Sequence, residues 1–166
     1  MTFLAAFIVF VLDRVTKIAV VSNMSYGQSI KILPNIFHFT FVLNNGTAFG
    51  LFKGANAALA ILSVVAITLI IFYVVKHKNL APDQRSGVAG HFREMSKPTF
   101  ASSLALGMIL GGAIGNLFDR MRFGYVIDFI DFRIWPVFNI ADSAITIGTC
   151  FLAWNILKQS FKAAGK

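Results

Sequence analysis

Between Asn56 and Val75 the chain reads NAALAILSVVAITLIIFYVV, a stretch of 20 residues without a charge. At the rise of an α-helix such a run matches the thickness of a bilayer's hydrocarbon layer. A small soluble fold cannot cover a helix that is apolar on every side, so the chain is confined to architectures built on membrane-crossing helices. Three further runs, at about 2–21, 99–118 and 137–157, have spanning length. A charged share of only 13%, against about 25% in soluble proteins, agrees. Within 166 residues four crossings leave no room for a second domain of ordinary size. The expectation is one all-α integral-membrane domain over 1–166, with four transmembrane helices, a small extracytoplasmic β-strand element and an outer loop.

Charge predicts sidedness. Lys76, Lys78, Arg85, Arg93 and Lys97 outnumber Asp83 and Glu94 between the second and third runs, and Lys158, Lys162 and Lys166 end the chain. Basic excess in short loops marks the cytoplasmic side. Both termini and the middle loop are expected inside, with residues 22–55 and 119–136 outside. The net charge of +8 does not indicate nucleic acid, because the basic residues lie between apolar segments and form no aromatic-interleaved patch. Residues 2–12 lack a basic flank, are interrupted by Asp13-Arg14 and precede no small-x-small pattern, so they read as half of a retained span and not as a cleaved leader. Cys150 is the single cysteine, which excludes an intrachain disulfide and a Cys-based zinc site. Its apolar surroundings predict a small buried residue.

From Pro34 to Asn44, Phe37, Phe39, Phe41 and Leu43 alternate with His38, Thr40 and Val42, the period of a strand with one greasy face lying at the membrane surface. It leads into NNGTAFG, residues 44–50, where Asn-Gly signals a turn; the pattern alone favours an ordinary hairpin.

Ionisable groups in or beside spans cost roughly 2.5–3.5 kcal/mol each on insertion scales and therefore face a protein interior. Five of the seven acids, Asp13, Asp119, Asp128, Asp131 and Asp142, map to the outer halves of spans or to the outer loop. Asp13 and Lys17 are one helical turn apart with the acid first, which favours a structural ion pair over a chemical role. Asp119-Arg120 follows Gly111, Gly112 and Gly115, a small-residue pattern that lets helices approach, and Asn116 shares a face with Asp119. Asp128, in YVIDF, and Asp142, in FNIADS, have no Lys or Arg within three positions. Two carboxylates brought together in a poorly solvated place share a proton, one serving as base and the other as acid, an arrangement that activates water against an amide.

Rival chemistries fit less well. There is no HExxH, and His38, His77 and His91 are dispersed, so no metal is expected. No GxSxG occurs, and a Ser-His pair would need His38. A Ser-Lys pair using Lys17 stays open on spacing. A proton-coupled transporter would set its acids near the midplane around a pore, whereas here they gather toward one face and the second span has none. A silent scaffold gives no reason for two outer carboxylates without counter-ions.

Five motifs in order, DRVTK (13–17), NNGTAFG (44–50), GGAIGNLFDR (111–120), GYVIDF (124–129) and FNIADS (138–143), cover nearly the whole chain. Together they resemble the lipoprotein signal peptidase family, bacterial signal peptidase II. The resemblance implies a four-span aspartic endopeptidase of the bacterial inner membrane, with its site toward the extracytoplasmic face, that acts as a monomer without cofactor. Its partners would be membrane lipid and diacylglyceryl-modified prolipoproteins, cleaved before the lipidated cysteine. It implies a catalytic dyad of Asp128 and Asp142, a substrate site lined by Asn44, Gly112, Asn116, Arg120 and Asn139, and structural support from Asp13, Lys17 and Asp119. The resemblance also turns NNG from a plain hairpin into a site turn. Thr47 stands where many relatives carry Ala. Asp131 is read as a loop charge paired with Arg133.

Overall fold

The computed structural model describes residues 1–46, 56–78 and 99–164. Residues 47–50 of the NNGTAFG turn and the middle-loop charges Asp83, Arg85, Arg93, Glu94 and Lys97 lie outside the described residues, as does His91. Among the described residues four helices, α1 (Thr2–Asn23), α2 (Asn56–Lys78), α3 (Phe100–Phe123) and α4 (Ile140–Ala164), accompany three strands, β1 (Ser29–Leu33), β2 (Phe37–Asn44) and β3 (Val126–Asp131). Of the described residues, three helical segments, Asn56–His77, Phe100–Phe123 and Ile140–Lys158, are long and apolar enough to cross a membrane. The 22-residue α1 has the length but carries Asp13, Arg14 and Lys17, so its role turns on where those charges go.

The central helix is α3. Half of its spanning window lies inside the protein against 6% of that of α2, and the glycines of the third apolar run explain the difference. A Cβ at Gly111 would stand 2.4 Å from the Ala6 carbonyl oxygen of α1, and one at Gly112 2.4 Å from the Ala141 carbonyl oxygen of α4. Both helices therefore touch α3 backbone to backbone, which maximises dispersion contact where lipid supplies no hydrophobic drive. The interior beside them is small and apolar, with Ala5, Ala6, Ala105, Ala113, Ala141 and Ala144 buried. The apolar flanks of α1, α2 and α4 face outward, as a membrane helix requires. Cys150 belongs to that outward surface and is exposed, contrary to the expected burial.

The helices run past the expected ends at 21, 75 and 157, to Asn23, Lys78 and Ala164, and two further boundaries differ next to the outer loop. The third run was expected to end at residue 118, but α3 continues to Phe123, taking Asp119, Arg120 and Arg122 onto the helix. It stops at Gly124, whose φ of 81° is the left-handed cap a side chain disfavours. The basic last turn complements the negative helix end. The fourth helix begins at Ile140 and not at Val137, because Phe138 pairs with Ile130 before the helix starts.

The expected strand is present as β2, but within an antiparallel sheet ordered β1-β2-β3. Asn44 stands opposite Val126, Val42 opposite Asp128 and His38 opposite Asp131. The free edge of β3 is closed by other groups. The Ile127 N–H donates to Asp119 Oδ2 at 3.3 Å, and Phe129 and Ile130 donate to the Phe138 carbonyl at 3.0 and 2.8 Å. Asp131 lies at the end of β3, where Arg133 pairs with it at 2.9 Å and Thr40 donates to it at 2.7 Å.

Gly111→Ala should lower thermal stability in detergent by about 1–3 kcal/mol, because the added methyl meets the backbone of α1, which has no rotamer with which to yield. A melting temperature equal to that of the parent would show that α1 and α3 separate without cost.

Candidate active site

The polar interior starts with α1. Asp13 and Lys17, one helical turn apart, have no exposed side-chain surface, and Lys17 Nζ lies 2.9 Å from Asp13 Oδ2. The same ammonium lies 2.8 Å from Asp119 Oδ2 of α3 and donates to Asn116 Oδ1 at 3.1 Å. Arg14 completes the group by pairing with Asp119 Oδ1. All of the charge on α1 is thus neutralised within the protein, which is what a helix surrounded by lipid needs. Asp13 also accepts from the Ala141 N–H, one of the unpaired donors at the start of α4, at 3.1 Å.

On this base sit two carboxylates. Asp142 is in the first turn of α4, where the positive end of the helix dipole favours an anion. Asn139 caps the helix: its Oδ1 accepts from the Asp142 N–H at 2.9 Å, while Asp142 Oδ2 accepts from the Asn139 N–H at 3.3 Å. This is a reciprocal capping box made with Asn and Asp. Asn139 is itself fully buried, and its Nδ2 donates to Asp128 Oδ1 at 2.7 Å. One amide side chain therefore spans the two acids. Asn116 donates to Asp142 Oδ1 at 2.7 Å, and Asn44, at the end of β2, donates to Asp128 Oδ2 at 2.8 Å. The Asn44 oxygen accepts from the Gly46 N–H at 2.9 Å, so the NNG turn aims the amide at Asp128.

Asp128 is buried at 1% exposure. Burial, and next the negative charge of Asp142, push its carboxyl up from 3.8 to about 7. Both acids line one cavity of about 830 Å³. The rest of its wall is mostly apolar, with alternate β3 residues Val126 and Ile130 on one side and Ile145 and Ile147 of α4 on the other, beside the polar Asn44, Ser143 and Thr146. Arg120 reaches the same cavity and also lines a smaller one of about 250 Å³ between α2, α3 and α4. Its Nε is buried without a hydrogen-bond partner among the described residues, a donor available to a bound acceptor.

A family profile described as "Signal peptidase (SPase) II" matches residues 5–158. The chain belongs to the signal peptidase II family. A protein of Halothermothrix orenii named lipoprotein signal peptidase is 38% identical, with 96% of this chain and 97% of that protein covered. One of Nostoc punctiforme with the same name is 43% identical over 90% of this chain and 84% of its own length. A solved bacterial membrane enzyme superimposes with a TM-score of 0.78 at 28% identity, covering 96% of this chain and 88% of that one.

Within this family member the structure brings Asp128, Asp142, Asn44, Asn116, Arg120 and Asn139 together. Gly112 stands apart, at the α3–α4 crossing and not on the cavity wall. The Ser-Lys alternative is answered by Lys17 itself, which is committed to Asp13, Asp119 and Asn116. Ser29 Oγ does lie 3.1 Å from His38 Nδ1. Neither residue lines the cavity, however, and among the described residues no group holds the buried Nε2 of His38, so no third member orients such a pair there. Sequence reading missed Arg14 as the partner of Asp119, since their separation of 105 residues leaves no local signal. It also missed Phe37, Phe132 and Trp135 on the cavity wall; the run of aromatic residues in that loop was the available sign.

Asn139→Ala removes the cap of α4 and the donor between the two acids. It should cost about 1–2 kcal/mol of stability and lower kcat at least ~10-fold with a smaller effect on KM. A variant that melts earlier but turns over at the parental kcat would confine Asn139 to helix capping.

Proposed function

We propose that the protein is an aspartic endopeptidase of the bacterial inner membrane that removes the signal peptide from diacylglyceryl-modified prolipoproteins, cutting before the lipidated cysteine. Family membership supports signal-peptide removal from prolipoproteins and a multi-pass place in the inner membrane. One observation carries the aspartic chemistry: a buried Asp128 and a half-buried Asp142 on a single cavity wall, with the Asn139 side chain hydrogen-bonded to the Asp128 carboxyl and the Asp142 N–H.

The reaction follows from the two environments. In this mechanism the pair shares one proton, assigned to Asp128, which burial and Asp142 push up to about 7, and Asp142, where the helix N-terminus favours an anion, is assigned the charge. Asp142 takes a proton from water as its oxygen attacks the scissile carbonyl carbon. Asp128 gives its proton to the carbonyl oxygen, which becomes one hydroxyl of a tetrahedral gem-diol intermediate. Collapse of that intermediate breaks the C–N bond: the hydroxyl returns its proton to Asp128 as the C=O bond reforms, and the proton held by Asp142 passes to the leaving amine, so both acids regain their starting forms. Arg120 and the amides of Asn44 and Asn116 hold substrate backbone. Apolar walls receive the lipid and exclude bulk water. In this reading α1 is the fourth span, the whole chain is one domain acting as a monomer, both termini are cytoplasmic and the dyad faces outward.

Asp128→Asn and Asp142→Asn should each lower cleavage of a lipidated substrate at least ~10³-fold while the protein inserts normally, and Asp131→Asn, off the cavity wall, should retain most activity. Substantial turnover by either dyad variant refutes the mechanism.

The pH dependence has a definite sign. The active form holds one proton, so kcat/KM should fall as pH rises through about 7. Stability follows the same group. Its native carboxyl binds a proton more tightly than the unfolded one at 3.8, so its contribution is present below that value and lost as pH rises to about 7. Asp128→Asn should therefore melt above the parent at pH 8, by on the order of 1–2 kcal/mol, with the gap closing near pH 4. Melting curves at the two pH values check this, and a gap independent of pH contradicts it.

A further inference from the structure

Lys17 is fully buried, and the mechanism above gives it no part. Its surroundings point to more than insertion of α1. An ammonium only donates, so the oxygen of Asn116 must face Lys17 and the Asn116 NH₂ must face away, where it meets Asp142 at 2.7 Å. The same Asn116 oxygen accepts from Asn139 Nδ2 at 3.1 Å, and that NH₂ group also donates to Asp128 at 2.7 Å. One cation thereby fixes the orientation of two of the three amides at the acids, those of Asn116 and Asn139, while Asn44 is set by Gly46. If Asn116 were reversed, an oxygen would face Asp142 and two donors would face Lys17.

We propose that Lys17 is a positioning residue for peptide cleavage: through Asn116 it sets the orientation of the amides against Asp142 and Asp128, and its charge favours the singly ionised pair. This rests on the dyad mechanism given above. The charged groups around Lys17 are Asp13 and Arg14 from α1, Asp119 from α3, Asp142 from α4 and Asp128 from β3, and Arg120 of α3 faces the same three acids, Asp119, Asp128 and Asp142. Of these, Asp13 and Asp119 offset part of its charge at direct contact. The Lys17 charge opposes the upward push of burial on Asp128, which is the sign the proposal requires.

Two substitutions should move the pH profile in opposite directions. Lys17→Gln keeps a donor for Asn116 and removes the charge, so the limb of kcat/KM near neutrality should move up by roughly one pH unit. Asp13→Asn keeps an acceptor for the Ala141 N–H while leaving the Lys17 charge less compensated, so the limb should move down. The measurement is cleavage of a lipidated prolipoprotein peptide by purified full-length protein in detergent, from pH 5 to 9, with melting curves in parallel. A purely structural Lys17 would lower the amount of folded enzyme and leave both profiles at the parental pH, which would overturn the proposal. If Lys17→Gln does not fold, the direction found for Asp13→Asn decides alone. Unshifted limbs, with Asp128→Asn and Asp142→Asn inactive, remove the role of Lys17 and keep the dyad; turnover by Asp128→Asn removes both.

Discussion

The charge group formed by Asp13, Arg14, Lys17 and Asp119 is the contact on which the remainder of the molecule depends. Removing one partner of a buried pair costs about 3–5 kcal/mol, because the group left behind keeps its charge with no solvent to hold it. Here the consequence is wider than stability. Asp119 joins α1 to α3 and accepts from the Ile127 N–H, one residue before Asp128. Asp13 joins α1 to the first turn of α4, where Asp142 sits. Both acids of the proposed dyad are therefore referred to one anchor. Without it, α1 would carry uncompensated charge into lipid, and the strand and helix bearing the dyad would have no common support.

The close helix contacts make that anchor possible. A side-chain ion pair between helices has to bridge whatever separation the backbones impose, and Gly111 and Gly112 reduce it to direct backbone contact. Gly115 shows the link most directly, since a Cβ there would stand 2.6 Å from Asp13 Oδ2. Glycine is needed on α3 to admit a carboxylate from α1 as much as to admit a helix. Packing and electrostatics are thus two results of the same sequence choice, and Gly112 lies at the crossing of α3 with the first turn of α4.

The parts legible in sequence were those carried by local pattern. The apolar runs of α2, α3 and α4 read directly as helices, β2 appeared through its alternation, and Asp128 and Asp142 stood out for want of a nearby cation. Less legible were elements whose cause lies elsewhere in the chain. β3 reads as a greasy stretch because Val126, Ile127, Asp128 and Phe129 are buried in succession, which erases the two-residue period. β1, exposed along its length, shows as a strand only beside β2. Asp119 was assigned to a loop because hydropathy falls at charged residues, whereas its helix continues while its carboxylate is neutralised by residues of α1.

The same logic explains why the acids are held by asparagines and not by cations. A Lys or Arg directly on Asp128 or Asp142 would fix each as a carboxylate and remove the proton that general acid catalysis needs. Amides supply hydrogen bonds that orient the oxygens at a smaller electrostatic cost to the protonated form. The nearest fully buried cation, Lys17, is separated from Asp142 by the Asn116 side chain. In the proposed mechanism it acts on the pair at one remove and favours a single charge, and its own charge is shared with Asp13 and Asp119 one layer deeper in the protein.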